Sequence, residues 1–185
     1  MLKVHGKGGH GLVVADAWIT EFPNSSCQFS DDAEGTRPGP TDDFIVAIGD
    51  NRVRQRLGGN INVVHAKAVV APGTHYGKGI FIAANAVVNP GVVIGDGVII
   101  NTGALVDHGC VLGSWCHIAP GAVLCGGVEV GDGAFVGANS VVKEGIRIGE
   151  WSVVGCGAAV IRDVPPGETH GGVPARRLIA ADPEG

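Results

Sequence analysis

Ile82, Val88, Ile94, Ile100, Val106, Leu112, Ile118, Leu124, Val130, Val136, Val142, Ile148, Val154 and Val160 put an aliphatic side chain at every sixth position from 82 to 160, without a slip. Three places after most of them stands Gly91, Gly97, Gly103, Gly109, Gly121, Gly127, Gly133, Gly145 or Gly157, or else Asn85 or Asn139. Two places before, the residue is small or apolar, as in Ala86, Val98, Cys110, Cys116 and Val128. A period of six is neither helical nor that of an alternating strand, so it marks a repeat. Each hexad reads as a short strand with two side chains on one face, followed by a tight turn. The turn needs a positive φ, which Gly adopts freely and Asn tolerates. At Pro90-Gly91 and Pro120-Gly121 the proline and glycine fill the two central positions of a type II turn. Three strands and three corners close a triangular coil of 18 residues, stacked on the next by parallel ladders. About five such coils are expected, with an irregular first coil, because the register decays backwards through Val64 and Val70 to Tyr76.

Working outward, composition narrows the classes. Gly is 32 of 185 residues, without the Gly-x-y period of collagen, so turns account for it. The net charge of −5 argues against a nucleic-acid footprint. There is no apolar run of membrane-spanning length and no basic region leading into a signal sequence. Five cysteines lack metal-ligand spacing, and Cys110 and Cys116 fall on the inward position, where a thiol acts as a small hydrophobe. The expectation is a reduced, cytoplasmic protein with no metal site, no nucleic acid partner and no membrane insertion.

Before the repeat lies a different kind of chain. Leu2-Lys3-Val4-His5 suits a strand, Leu12 to Ile19 a helix, and between them Gly6-Lys7-Gly8-Gly9-His10-Gly11 reads as G-x-G-x-x-G. Glycines at such a strand-to-helix junction let a phosphate approach backbone N–H groups. Asp31 and Asp32 follow at the distance where a ribose hydroxyl is read in a dinucleotide site. Phe44 to Ile48 is a second strand, Asn51 to Leu57 a short helix with a basic face of Arg52, Arg54 and Arg56, and Gly58-Gly59 a boundary. Roughly 60 residues are too few for a complete dinucleotide fold. The expectation is therefore a small α/β unit, with a parallel sheet of three strands, that binds a nucleotide moiety other than NAD.

The hexads resemble those of the hexapeptide-repeat acyltransferases, whose fold is a left-handed parallel β-helix; the handedness comes from the resemblance. Gly6 to Val14, Asp31-Asp32 and Val46-Ala47-Ile48-Gly49-Asp50-Asn51-Arg52-Val53-Arg54 further resemble the bacterial acetyltransferases of nucleotide-linked amino sugars, to which sialic acid O-acetyltransferases are related. The resemblance implies a mainly β chain in three parts: a Rossmann-like α/β unit at 1–59, the β-helix at 60–165 and a tail at 166–185. It implies that Gly6, Gly8, Gly9, His10, Gly11, Asp31 and Asp32 hold the nucleotide sugar. It implies that His117, Gly126, Gly137, Gly155, Pro174 and Arg176 hold acetyl-CoA. Residues 1–59 are shorter than the family's N-terminal region by about ten or more.

His108 stands at a corner, in Asn101-Thr102-Gly103-Ala104-Leu105-Val106-Asp107-His108, the pattern that resembles the family's catalytic segment. A neutral imidazole, with an ordinary pKa of about 6.5, suits removal of a proton from the attacking sugar C4 amine. By resemblance the Gly126 N–H is the oxyanion donor and His117 positions the acyl or sugar end. His117 is half a coil from His108, so a homotrimer is expected to bring one chain's His108 to another's His117. The family commonly follows the histidine with Glu or Asp; here Gly109 stands there, leaving Asp107, a backbone group or water to orient the ring. Trp115 and Trp151, two coils apart on one corner, are expected at a subunit contact or beside ligand. The rivals are O-acetylation of a sugar, a zinc carbonic anhydrase on the same fold, for which His75, His108 and His117 lack the spacing, and a non-catalytic scaffold.

Overall fold

The computed structural model describes residues 1–39 and 41–178; Pro40 and the last seven residues of the expected tail lie outside the described residues. The hexads form a parallel β-solenoid with two-residue strands on three faces. Strands on each face pair in parallel 18 residues apart, as in Val63↔Phe81, Phe81↔Ile99 and Ile99↔His117. Alternate side chains of each hexad fill one continuous core from Ile80 to Val164. Cys110 and Cys116 are inside it, as their positions required. The corners carry the expected left-handed residues, including Gly109 at φ +67° and Asn139 at +55°.

There are six coils rather than five. The first is regular: Val63-Val64, Val69-Val70 and His75-Tyr76 pair in the same register as every later coil. Parallel pairing fixes the backbone here, so Tyr76 keeps its place although its side chain is exposed and adds nothing to the core.

The N-terminal unit is the expected three-stranded parallel sheet, of β1 (Leu2–His5), β2 (Cys27–Ser30) and β3 (Phe44–Val46), in the order β2-β1-β3. Helix α1 runs Gly9–Glu21 and α2 Asn51–Leu57. Asp50 caps α2 by accepting from the Val53 N–H at 2.9 Å, and the helix ends at Gly58, φ +75°. Leu2, Val4, Ile45 and α1's Val14 and Ala17 share one core with Val63, Phe81, Ala83 and Ile99 of the first solenoid face. That face is therefore covered by the unit.

Arg54 fastens the two. Its guanidinium is buried and donates only to carbonyls: Ile48 and Gly49 at 3.1 and 2.9 Å, Gly97 at 3.2 Å, Trp115 and Cys116 at 2.8 and 3.3 Å. Burial pulls its pKa down to about 10, so it stays a cation at neutral pH. The basic helix face read from the sequence is thus not a solvated face at this position. Asn51 donates to the Gly133 and Ala134 carbonyls at 3.0 and 3.2 Å.

The tryptophans also take part in this junction. Trp115 and Trp151 take φ of +63° and +56°, which costs an L residue about 1–2 kcal/mol. Each ring lies over a glycine one coil earlier, Gly97 and Gly133, where a Cβ would strike it. The Arg52 guanidinium sits 4.3 Å from the centre of the Trp151 ring, a cation–π contact from α2 to the solenoid corner. Among the described residues no helix is long and apolar enough to cross a membrane.

Candidate functional site

His108 follows Leu105–Val106 on the second face, at the corner that leads to the third. Its side chain is exposed and lies over Gly126, the equivalent residue one coil on. A Cβ at 126 would come within 2.6 Å of the imidazole Cε1 and 2.7 Å of Nε2, so any residue but glycine would push this ring aside. The Gly127 N–H donates to the His108 carbonyl at 2.9 Å, whereas no described residue accepts from the Gly126 N–H. An imidazole and a bare backbone donor thus sit together at one corner, brought there by the 18-residue repeat.

Asp107 does not reach the imidazole. Its Oδ1 accepts from the Asn89 amide at 2.8 Å and from the backbone N–H of His108 at 2.8 Å. Those two bonds, the Asn89 one first, hold the carboxyl below its usual range. A carboxylate next in sequence at a tight corner meets the following N–H before any side chain, as Asx turns do. Asp107 therefore fixes the backbone under His108, and among the described residues no carboxylate is hydrogen-bonded to the ring.

His117 lies elsewhere, on the first face under the N-terminal unit. It is buried, edge-on to Phe135 at 5.1 Å and 6.4 Å from the ring of His10 on α1. Asn101 Oδ1 accepts the Thr102 N–H at 2.8 Å, which leaves the amide nitrogen to donate to His117 Nε2 at 3.1 Å. That assignment puts the His117 proton on Nδ1, a buried donor with no partner. His10 packs edge-on to Phe81 at 5.4 Å, and its Nε2 is likewise buried and unpartnered. Burial, then the charge of Arg54, holds His10 down to about 4; the same causes, with His10 added, hold His117 down to about 3. Both are neutral at pH 7. Buried polar atoms ordinarily find a partner, so two neighbouring histidines that each carry an orphan nitrogen at this junction suit a polar ligand. Within one chain they stand apart from His108: they occupy the covered first face, and it occupies the far corner of the second.

The glycine loop divides by function. Gly6 has φ +117°, with a Cβ position 2.8 Å from the Ala47 carbonyl, and a Cβ on Gly11 would strike the Gly6 carbonyl. Those two glycines are required by the chain itself. Gly8 and Gly9 have open space around them and stand at the start of α1, where no side chain caps the helix. Asp31 accepts from the Ala33 N–H at 2.9 Å and the Lys7 N–H at 3.1 Å, and these bonds, the Ala33 one first, hold its carboxyl below the usual range. Both its oxygens are engaged. Asp32 is held low chiefly by its hydrogen bond with Arg37.

The remaining expected positions gather near the corner between the first and second faces, at the solenoid's C-terminal end. A Cβ on Gly137 would come 2.6 Å from the Val154 carbonyl, a steric need of the stack, while Gly155 lies against the Thr169–Gly171 strand. Pro174 is in the turn of the closing hairpin, whose second strand begins at Arg176. Arg177 pairs with Glu168 at 3.3 Å, but Arg176 bonds only the Ala175 carbonyl, at 2.9 Å. Gly126 and His108 flank one edge of the second face, and Gly137 and Gly155 the other. The outward residues between them, Val69, Val87, Leu105, Val123, Val141 and Ala159, are apolar throughout, and Val69 and Val141 are exposed.

Residues 91–126 match the family model for the bacterial transferase hexapeptide (six repeats). The acetyltransferase domain of PglB from Neisseria gonorrhoeae FA1090, solved with acetyl coenzyme A, is 33% identical, with 96% of this chain and 98% of that one covered and a TM-score of 0.87. PerB from Caulobacter crescentus, solved with CoA and GDP-perosamine, is 36% identical, with 96% of each chain covered and a TM-score of 0.88. A histidine-to-asparagine mutant of perosamine N-acetyltransferase from Caulobacter crescentus, with the same two ligands, is 35% identical over 96% of each chain, with a TM-score of 0.88. The chain belongs to this family of hexapeptide-repeat, acetyl-CoA-dependent sugar acetyltransferases.

Proposed function

We propose that this family member transfers the acetyl group of acetyl-CoA to the C4 amine of a nucleotide-linked 4-amino-deoxy sugar, with His108 as general base. The observation that carries the reading is the His108 imidazole lying over Gly126, whose N–H is left without an acceptor among the described residues. The amine nitrogen attacks the thioester carbonyl carbon while His108 takes its proton. The oxygen that becomes negative accepts from the Gly126 N–H. The C–S bond then breaks, and the imidazolium returns its proton to the CoA sulfur. No covalent enzyme intermediate is needed.

In this reading the winding is left-handed, residues 1–59 are a Rossmann-like remnant that holds the nucleotide, and 60–165 supply the chemistry. Gly8 and Gly9 leave N–H groups of α1 open to the diphosphate, with His10 and Asp32 beside it; Gly6, Gly11 and Asp31 shape the loop. His117 offers Nδ1–H to the acyl or sugar end. Gly137, Gly155, Pro174 and Arg176 hold CoA, the arginine meeting its phosphates. The unbroken apolar second face suits a neighbouring copy in a homotrimer, which would bring a partner's covered first face towards His108. The protein works in the cytoplasm.

The test is turnover of acetyl-CoA with UDP-, dTDP- and GDP-linked 4-amino sugars. Release of free CoA with formation of the 4-acetamido product on one of them is expected. Acetylation of a hydroxyl sugar with no turnover of any amine would overturn the choice of acceptor.

A further inference from the structure

The sheet order β2-β1-β3 sends the link between β1 and β2 over one face and the link between β2 and β3 over the other. Helix α1 is the first link. The second has only a single 3-10 turn, Asp32–Glu34, before it runs on to β3. Where a doubly wound sheet would carry a helix, this face has a thin strap, tied down by Lys3 and Asp42 at 2.5 Å.

The strap leaves a cavity of about 200 Å³ lined by His5, Arg37, Pro38, Phe44, Arg56 and Leu57. His5 is 1% exposed, and its Nδ1 is 2.9 Å from Ser30 Oγ. Its Nε2 is buried and has no hydrogen-bond partner, although Asp32 Oδ1 lies 3.3 Å away. Arg37 is held by Asp32 through Nε and Nη2. Arg56 makes no hydrogen bond among the described residues, and Phe44 is half-buried. The cavity therefore offers the Phe44 ring, the free guanidinium fork of Arg56, an Arg37 guanidinium whose own fork is taken by Asp32, and a buried orphan nitrogen, beside the end of β1 where the glycine loop begins.

Resting on the reading that this unit holds a nucleotide sugar, we propose that the cavity takes its base and selects guanine. Of guanine, adenine, thymine and uracil, only guanine presents two adjacent acceptors, O6 and N7, on one edge, the pair that an arginine fork meets bidentately. Adenine sets an amino donor beside N7, and thymine a methyl group beside O4, so each offers the fork a single acceptor. The free fork of Arg56 reads the O6/N7 edge, Phe44 packs on the base, and Asp32 keeps Arg37 in place.

Calorimetric titration of the whole protein with GDP, UDP, dTDP and ADP tests this, repeated on Arg56→Ala, an exposed position whose loss leaves the core intact. GDP is expected to bind roughly tenfold or more tighter than the others, and Arg56→Ala to erase most of that preference while leaving the other three little changed. Equal binding of all four, or an Arg56→Ala loss shared equally by all four, would assign the cavity to phosphate and overturn the base reading alone. Failure of every nucleotide to bind would overturn both this inference and the nucleotide-sugar reading beneath it.

Discussion

The solenoid and the N-terminal unit reach stability by opposite means. In the solenoid every coil repeats the last: the same inward positions, the same left-handed corners, parallel ladders 18 residues apart. Its core needs no partner outside the repeat. The unit, with three short strands and two helices, has no separate core; Val4 and Ile45 are buried with Phe81 and Ile99 of the solenoid. It is also fixed by polar contacts that do not repeat, Arg54 above all. A periodic scaffold therefore tolerates a chemically specialised corner such as His108, while the unit beside it is sensitive at single residues.

The largest effect that would sharpen this contrast is at Arg54. Arg54→Met leaves four carbonyls, of Ile48, Gly49, Gly97 and Trp115, without a donor, while Cys116 keeps the Ile99 N–H; each orphan costs about 1–3 kcal/mol before relaxation, so a net loss of roughly 4 kcal/mol is expected in urea unfolding. Hydrogen exchange should show the loss in β1, α1 and α2 and leave the inner coils protected. Equal loss in the coils would break the comparison.

Acid should act at the same junction. His10 and His117 are neutral in the fold, with pKa values of about 4 and 3, and would be protonated below about 6.5 when unfolded. The unfolded chain binds more protons, so stability is full above about pH 6.5 and falls as pH drops towards about 4 for His10 and about 3 for His117. Between about pH 6.5 and 5 the expected loss is roughly 2 kcal/mol for each histidine. Urea midpoints that stay flat over that range would contradict the buried, neutral assignment.

The glycine loop gives a smaller, divided effect. Gly11→Ala should cost about 1–3 kcal/mol, because its Cβ strikes the Gly6 carbonyl. Gly9→Val has open space, so stability should change by under about 1 kcal/mol while KM for the nucleotide sugar rises and that for acetyl-CoA does not. A Gly9 variant that raises both KM values alike would place this loop outside the nucleotide-sugar site. Smallest of all is Asp107→Asn, which keeps an acceptor for Asn89 and the His108 N–H. Its kcat should stay within about threefold of wild type, as expected for a group that fixes backbone and not the ring; a shift in the basic limb of the kcat/KM profile would restore Asp107 as the ring's partner.

What is legible in the sequence follows the same division. The repeat announces the strands, corners and core because one physical rule recurs many times, and it places His108 at a corner. It does not show that Gly126 is bare beneath that ring, since the contact joins residues 18 apart in different coils. The first coil and the tryptophan corner escape a local reading for a related reason. Pairing holds Tyr76 in register without a core side chain, and Trp115 and Trp151 answer to glycines and arginines far away in the chain. Arg54 reads as part of a charged helix face because nothing local marks a cation whose partners are all backbone carbonyls. The only signals for it are its place in Gly49-Asp50-Asn51-Arg52-Val53-Arg54 and the apolar Val53 and Leu57 near it.

The central claim is that the His108 corner performs the transfer, and the direct test is kcat of His108→Ala with acetyl-CoA and the amino-sugar acceptor both saturating. General-base catalysis contributes about 10²–10⁴-fold, so kcat should fall by roughly that factor. The side chain is exposed at a corner, so unfolding free energy should move by under about 0.5 kcal/mol. Turnover near wild type in a folded His108→Ala protein would contradict the account.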